Sequence, residues 1–481
     1  MKESKIKYQR HENVIFAFEE IKPVQYLTIW DFLLTPIYFL ILTAIAKRMR
    51  DKRYPLGHPL REYFMKGLYV KFGGAIFIAL VYQYYYGGGD TFNYFTHTKI
   101  INSSLQDSFT TWFKLITRQS VETNPELYPY VSQMEWYRDP ASYSVAAIAA
   151  VFGLFTGTTY LPIALFFAFF SFTGVWAMYR TFANLYPKIY KELAIAFLFI
   201  PSTFVWGSAI FKDTVCMFGL GWLTYTTFRI FIYADFSVKN VTLLILSFFS
   251  IFLIKIYILL GFMPALSIWL LTIYSSRIQS TALRFLTRIA FIGIAIVGFL
   301  FFTRLFAQEL QRYSLDNIAK TAETTRQWIY YVSGRDEGSA YDLGEFDPSI
   351  GGMIKKFPQA VVVTLFRPFP WEARKVIVFL SAIEAVLFAY FTFKAFRKRG
   401  VLNTFKLIAK DPNLLFCLIF SLIFAFAVGI SSYNFGSLSR YKIPCLPFYG
   451  AFLMIILNYD KLAQRNPIPQ LKRSTKAPAL A

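Results

Sequence analysis

Histidine, cysteine and acidic residues are scarce in this sequence, and each scarcity excludes a class of chemistry. The three histidines, His11, His58 and His97, leave a Ser/His/Asp arrangement almost nothing to draw on. The three cysteines, Cys216, Cys417 and Cys445, all fall in apolar segments. They offer neither a disulfide framework nor a cluster with metal-ligand spacing. There is no P-loop, no dinucleotide-binding glycine pattern after a strand and no His-Glu-x-x-His, so neither ATP-driven transport nor zinc hydrolysis is expected of the chain. Charged residues make up 16% of the sequence, against about 25% in soluble domains.

What is abundant is apolar and aromatic. Of 481 residues 56% are hydrophobic and 20% aromatic, with 54 Phe and 32 Tyr, and the mean hydropathy is +0.43. A soluble core has no use for so many rings. A bilayer does, since Phe suits its acyl region and Tyr and Trp its interfaces. The expected fold is therefore all-α, a polytopic bundle of transmembrane helices forming a single integral membrane domain over 1–481.

A span needs about 20 mostly apolar residues. Candidate runs are 27–46, 67–86, 143–157, 160–179, 193–210, 214–234, 241–254, 257–274, 289–307, 376–396, 412–430 and 443–458. The first begins after a mixed-charge lead with no cleavable signal pattern. As one helix, 241–274 would be about 51 Å long against a core of about 30 Å, so two short spans meeting near Lys255–Tyr257 are expected.

Charge orients the chain. Segments 47–66, 180–192, 229–240, 275–288, 394–411 and 459–481 hold 26 Lys/Arg and 6 Asp/Glu, whereas 87–140 and 308–375 hold 13 and 15. The positive-inside rule makes the first set cytoplasmic, with 459–481 a basic tail, and the second set two large extracytoplasmic loops. Anionic inner-leaflet lipids then account for the net charge of +22, and nucleic acid is not needed as a partner. Parity makes 143–157 interfacial or re-entrant. The count is eleven crossings, with Asp90 on the outer side.

The polar motifs then gather at that side. Gly87-Gly88-Gly89-Asp90 follows the second run. Three glycines free the backbone for positive φ, turning Asp90 back over the membrane surface; a helix cap followed by a turn is the plainer account. Pro201…Trp206-Gly207-Ser208 leads to Lys212-Asp213, either an interfacial ion pair or a cation able to hold a phosphate. Lys255, beside Tyr257, is a lone charge in an apolar stretch, a functional candidate by default unless it snorkels. Arg367-Pro368-Phe369-Pro370-Trp371-Glu372 reads as a stiff interfacial segment. Arg440-Tyr441-Lys442 places two more cations before the last run. Glu384 is the one carboxylate deep in a span, and a partner inside the bundle is expected for it.

An acid opening the first outer loop, the Pro201…Lys212-Asp213 motif and Arg440-Tyr441-x-x-Pro444-x-x-Pro447 together resemble the multi-spanning GT-C glycosyltransferases and similarly laid out bacterial polysaccharide polymerases. The resemblance implies a bacterial cytoplasmic-membrane enzyme that uses a polyprenyl-phosphate-linked sugar at the outer face. Asp90 would be its catalytic base or contact a divalent cation. Lys212, Lys255, Arg367, Arg440 and Lys442 would hold the donor phosphate, with Asp213, Tyr257, Glu372 and Tyr441 in support. Where many members carry a second acid beside the first, the next acid here is Asp107. Trp112, Trp136, Tyr137 and Trp328 are candidates for stacking on sugar faces. A transporter or flippase for a lipid-linked or anionic solute, and a non-catalytic component of a cell-envelope complex, are the rival readings.

Overall fold

The computed structural model describes residues 24–275, 340–344 and 350–463, with isolated positions between 278 and 331. Most of run 289–307, half of the loop 308–375 (with Trp328) and the tail beyond 463 lie outside them. The described elements are helices, apart from one isolated bridge between Ala340 and Asn434. We number sixteen: α1 (Ile29–Arg53), α2 (Arg61–Tyr84), α3 (Asp90–Ser103), α4 (Phe109–Ile116), α5 (Pro140–Thr156), α6 (Tyr160–Leu185), α7 (Tyr190–Leu198), α8 (Pro201–Trp206), α9 (Lys212–Tyr233), α10 (Val238–Ser275), α11 (Phe357–Phe366), α12 (Val376–Arg399), α13 (Val401–Lys410), α14 (Pro412–Ser432), α15 (Phe435–Tyr441) and α16 (Leu446–Leu457).

Seven of these, α1, α2, α6, α9, α10, α12 and α14, are long and apolar enough to cross a membrane, and the pair α15–α16, bent by 69°, is an eighth when taken as one span. The chain is a multi-pass membrane protein. Three points separate this count of continuous helices from the eleven expected crossings. All but two positions of run 289–307 are outside the described residues. The runs 241–254 and 257–274 are counted as one helix, α10, although it is broken between them. And 193–210 is not a single helix. Ile200 is extended (φ −72°, ψ 119°) and Pro201 starts α8, because a proline lacks the N–H and clashes with the preceding turn.

Helix α10 breaks at Lys255 (φ −149°, ψ 75°), where the length argument put the junction. Its two halves run along α9 in opposite directions. In the first, Asn240 Nδ2 donates to the Asp235 carbonyl and Ser247–Ile251 lie against Gly219. Lys255 then meets Asp213 at the start of α9. In the second, Trp269 packs on Phe228 at 4.5 Å and the Tyr274 hydroxyl donates to the Phe231 carbonyl. The stretch returns to the end it left.

The bundle thus has two ends. At one, Tyr54 meets Trp176, Tyr63 meets Tyr190, Lys461 pairs with Glu192, Asp411 accepts from Tyr186, and Asp460 pairs with Lys398 and Arg399. These contacts gather the basic segments around 47–66, 180–192, 394–411 and 459–463. At the other end lie Asp90, Asp213, Lys255 and Arg440. Both ends of α5 also lie there. Asp139 at its start pairs with Lys212, and Tyr160 just after it meets Thr91 at 2.5 Å. Helix α5, about 26 Å long, therefore does not carry Asp90 to the basic end.

The segment 87–140 is less a loop than a folded annex. Helices α3 and α4 close with α5 over a core of Ile101, Trp112, Leu115, Leu127 and Tyr143. Trp112 is buried and donates to Asn102 Oδ1 at 2.8 Å, so it is core and not a sugar platform. Segment 357–366 is helix α11, docked on α14 by Thr364 Oγ1 bonding the Ala425 carbonyl at 2.7 Å.

Candidate functional site

Four ionisable residues, each at a helix terminus or break, meet in one line. Gly87, Gly88 and Gly89 take φ of +68°, +150° and +126°, conformations closed to most side chains. They deliver Asp90 as the first residue of α3. Asp213 lies in the first turn of α9, where the helix dipole favours a carboxylate. Lys255 sits at the break in α10, and Arg440 near the end of α15, just before the bend into α16.

Arg440 joins the two acids. Its Nη1 donates to Asp90 Oδ2 at 2.6 Å and its Nε to Asp213 Oδ2 at 2.5 Å. Asp213 Oδ1 in turn accepts from Lys255 Nζ. The side chains are 48% exposed at Asp90, 10% at Arg440, 1% at Asp213 and 7% at Lys255. Two acids and two cations cancel, which is what makes burial of three of them tolerable. Aromatic rings enclose the line. Phe211 lies 4.3 Å from the Arg440 guanidinium and Tyr441 4.7 Å from Lys255 Nζ. Tyr257, 5.8 Å from that ammonium, stacks on Phe424. Asp90 is the one member that solvent reaches freely.

Lys212, beside Asp213, turns instead to Asp139, at 2.8 Å. Burial raises the Asp139 carboxyl, but the bonds from Lys212 and Ser142 outweigh it and hold the group below the usual carboxylate range. Burial pushes the neighbouring Tyr94 phenol up to about 12, against the pull of Arg440. Tyr94 therefore stays protonated and cannot serve as the base.

Arg367, Glu372 and Lys442 form a second group. Arg367 pairs with Glu372, its Nε donating at 3.1 Å. Burial raises Glu372, yet Arg367 and the Phe369 N–H bring it below its ordinary range. Lys442, fully buried, reaches the Arg367 carbonyl at 3.4 Å and Glu384 Oε1 at 3.9 Å. Glu384 also accepts the Ser202 N–H at 2.8 Å, at the start of α8. The partner expected for Glu384 is thus both a cation and a helix N-terminus.

Every cation named for the phosphate clamp therefore has a carboxylate neighbour. An anion arriving at Arg440 meets a guanidinium already bonded to Asp90 through Nη1 and to Asp213 through Nε. Among the described residues no three His, Cys, Asp or Glu side chains are grouped to hold a metal ion. Between Asp90 and Asp213 stands the Arg440 guanidinium, so this pair does not suit a divalent cation. Asp107 bonds Tyr130 instead.

Sequence reasoning passed over Lys71. It is buried in α2, its Nζ donating to the Gly207 carbonyl at 2.7 Å, to Ser171 Oγ at 3.1 Å and to the Thr203 carbonyl at 3.3 Å. It caps the end of α8, where the Gly207 carbonyl has no helical donor and the Thr203 carbonyl already accepts the Gly207 N–H. A lone Lys in the run 67–86 was the available signal, the same one that picked out Lys255. Compared with known proteins, the chain matches no family model, no curated protein and no solved structure.

Proposed function

We propose that the protein is a glycosyltransferase or glycan polymerase of a bacterial cytoplasmic membrane, taking a polyprenyl-phosphate-linked sugar at the outer face. One observation carries the reading: a half-exposed carboxylate, Asp90, is bonded directly to a buried guanidinium, Arg440, at one end of an apolar bundle. Transfer of a lipid-linked sugar needs that pair. The acceptor hydroxyl forms its bond to the anomeric carbon as the bond from that carbon to the phosphate oxygen breaks. The hydroxyl proton passes to the carboxylate, and the departing phosphate keeps the electron pair and needs a cation in a water-poor place. Asp90 suits the first task by exposure and Arg440 the second by burial.

The test is Asp90→Asn in purified protein, with transfer from a polyprenyl-linked sugar as readout. Loss of the base should lower turnover about 10²–10⁴-fold, and donor binding should survive, because the cations hold the phosphate. A fully active Asp90→Asn protein would remove the role.

A second reading, transport of an anionic or lipid-linked solute, is favoured by the breaks after Ile200 and at Lys255, since transporters bind substrate at discontinuous helices. Movement of labelled lipid-linked sugar across vesicles without its consumption would select it.

A further inference from the structure

At the opposite, basic end, α13 lies between α12 and α14 and divides its surface three ways. Thr404 and Ile408 face the bundle and are buried. Val401, Leu402 and Phe405 are 58%, 78% and 56% exposed; with Ala409 they fall on one apolar arc at the helical period. Asn403, Lys406 and Lys410 occupy the remaining arc, all exposed. No carboxylate among the described residues pairs with Lys406, Lys410 or Arg397. Beside the apolar arc runs an open groove of about 470 Å³, lined by Leu271, Thr272, Phe405, Ile408, Ala409 and Leu415. It lies where α10 ends and α14 begins.

A helix with such an apolar arc bears it at a cost in water. Joined to two spans by short turns, α13 has one apolar medium within reach, the acyl boundary of the bilayer. In that position the groove opens to acyl chains, and Lys406 and Lys410 stand at headgroup level. Their charge selects the headgroup: a phosphate without a compensating amine nearby. We propose that the groove and α13 form a binding site for an anionic phospholipid of the surrounding membrane, with an acyl chain against Phe405, Ile408 and Leu415 and the headgroup phosphate on Lys406 and Lys410. The site is independent of the transfer reading and lies away from its residues.

The full-length protein, delipidated and returned to nanodiscs of phosphatidylcholine with or without phosphatidylglycerol, is the material to test. Retained phosphatidylglycerol is counted by native mass spectrometry. The wild type should retain it in preference to phosphatidylcholine, and Lys406→Gln with Lys410→Gln should weaken retention about five-fold per lysine removed, the worth of one basic residue at an anionic surface. Ala409→Phe, which fills the groove from an exposed position, should abolish retention with both lysines intact. A polarity-sensitive label on Leu402→Cys should report an apolar setting; the three native cysteines are buried and do not compete. Equal retention of the two lipids, retention unchanged in both variants, an aqueous label at 402, or competition by inorganic phosphate alone would each overturn the proposal.

Discussion

Asp213 is the residue on which the ionic line depends, because it alone faces both cations. It is 1% exposed and bonded to Arg440 and Lys255. Asp213→Ala leaves Arg440 with Asp90 but Lys255 with no carboxylate, buried at membrane depth. Removing one partner of a buried pair costs about 3–5 kcal/mol. Unfolding in detergent should show that loss, and Lys255→Met in the same chain should recover part of it. An Asp213→Ala protein as stable as the wild type would mean that the line is not held out of water. Asp139 offers a test by pH. Its folded value lies below the ordinary 3.8, so the stability it contributes is present above 3.8 and lost as pH falls through the folded value. The difference in Tm between wild type and Asp139→Asn should hold constant above that range and shrink below it. A difference insensitive to acid would show that Lys212 does not favour the ionised form. These pairings explain what the sequence concealed. Each cation could be read from its place beside an apolar run, but its neutralising partner could not: Arg440 meets Asp90 across 350 positions and Lys212 meets Asp139 across 73.

At the scale of elements, legibility followed hydropathy and length. The break at Lys255 was accessible because 34 apolar residues exceed the bilayer. The division of 193–210 was signalled by Pro201, but a proline alone does not say whether neighbours will restore the helix, and here Lys71 caps the short α8 at the Gly207 carbonyl instead. The annex over 87–140 was read as a loop since α3 and α4 are too short and polar to register as spans. The glycine triplet can be tested as an element. At Gly87 a Cβ meets open space at φ +68°, whereas at Gly89 it lies 2.7 Å from the Tyr82 ring at φ +126°. Gly87→Ala should therefore show only the left-handed penalty of about 1–2 kcal/mol. Gly89→Ala must move Tyr82 or Asp90, and should reduce transfer as well as stability. Equal behaviour of the two variants would detach the turn from the placement of Asp90.

For the whole molecule, the two gathered ends turn the charge count into a geometric claim. Contacts bring segments around 54, 190, 399 and 460 together, and the ionic line lies at the other end of α2 and α9. If the bundle crosses a membrane, everything at one end shares a side, whichever side that is. Single cysteines introduced at 52, 188 and 400 should then label together from one face of sealed vesicles, and one at 110 only from the other. The positive-inside rule adds the sign: the first three should be cytoplasmic, since their segments carry the Lys/Arg excess. The two parts fail separately. A reversed pattern with the grouping intact would invert the orientation and move the proposed sugar donor to the inner leaflet, leaving the site's geometry untouched. A label at 110 grouping with 52 would instead mean that α2 does not cross and, with 188 still on the side of 52, that α5 does, contrary to the contacts that hold the two ends of α5 against Lys212 and near Thr91, and the common end of Asp90, Asp213 and Arg440 would have to be given up.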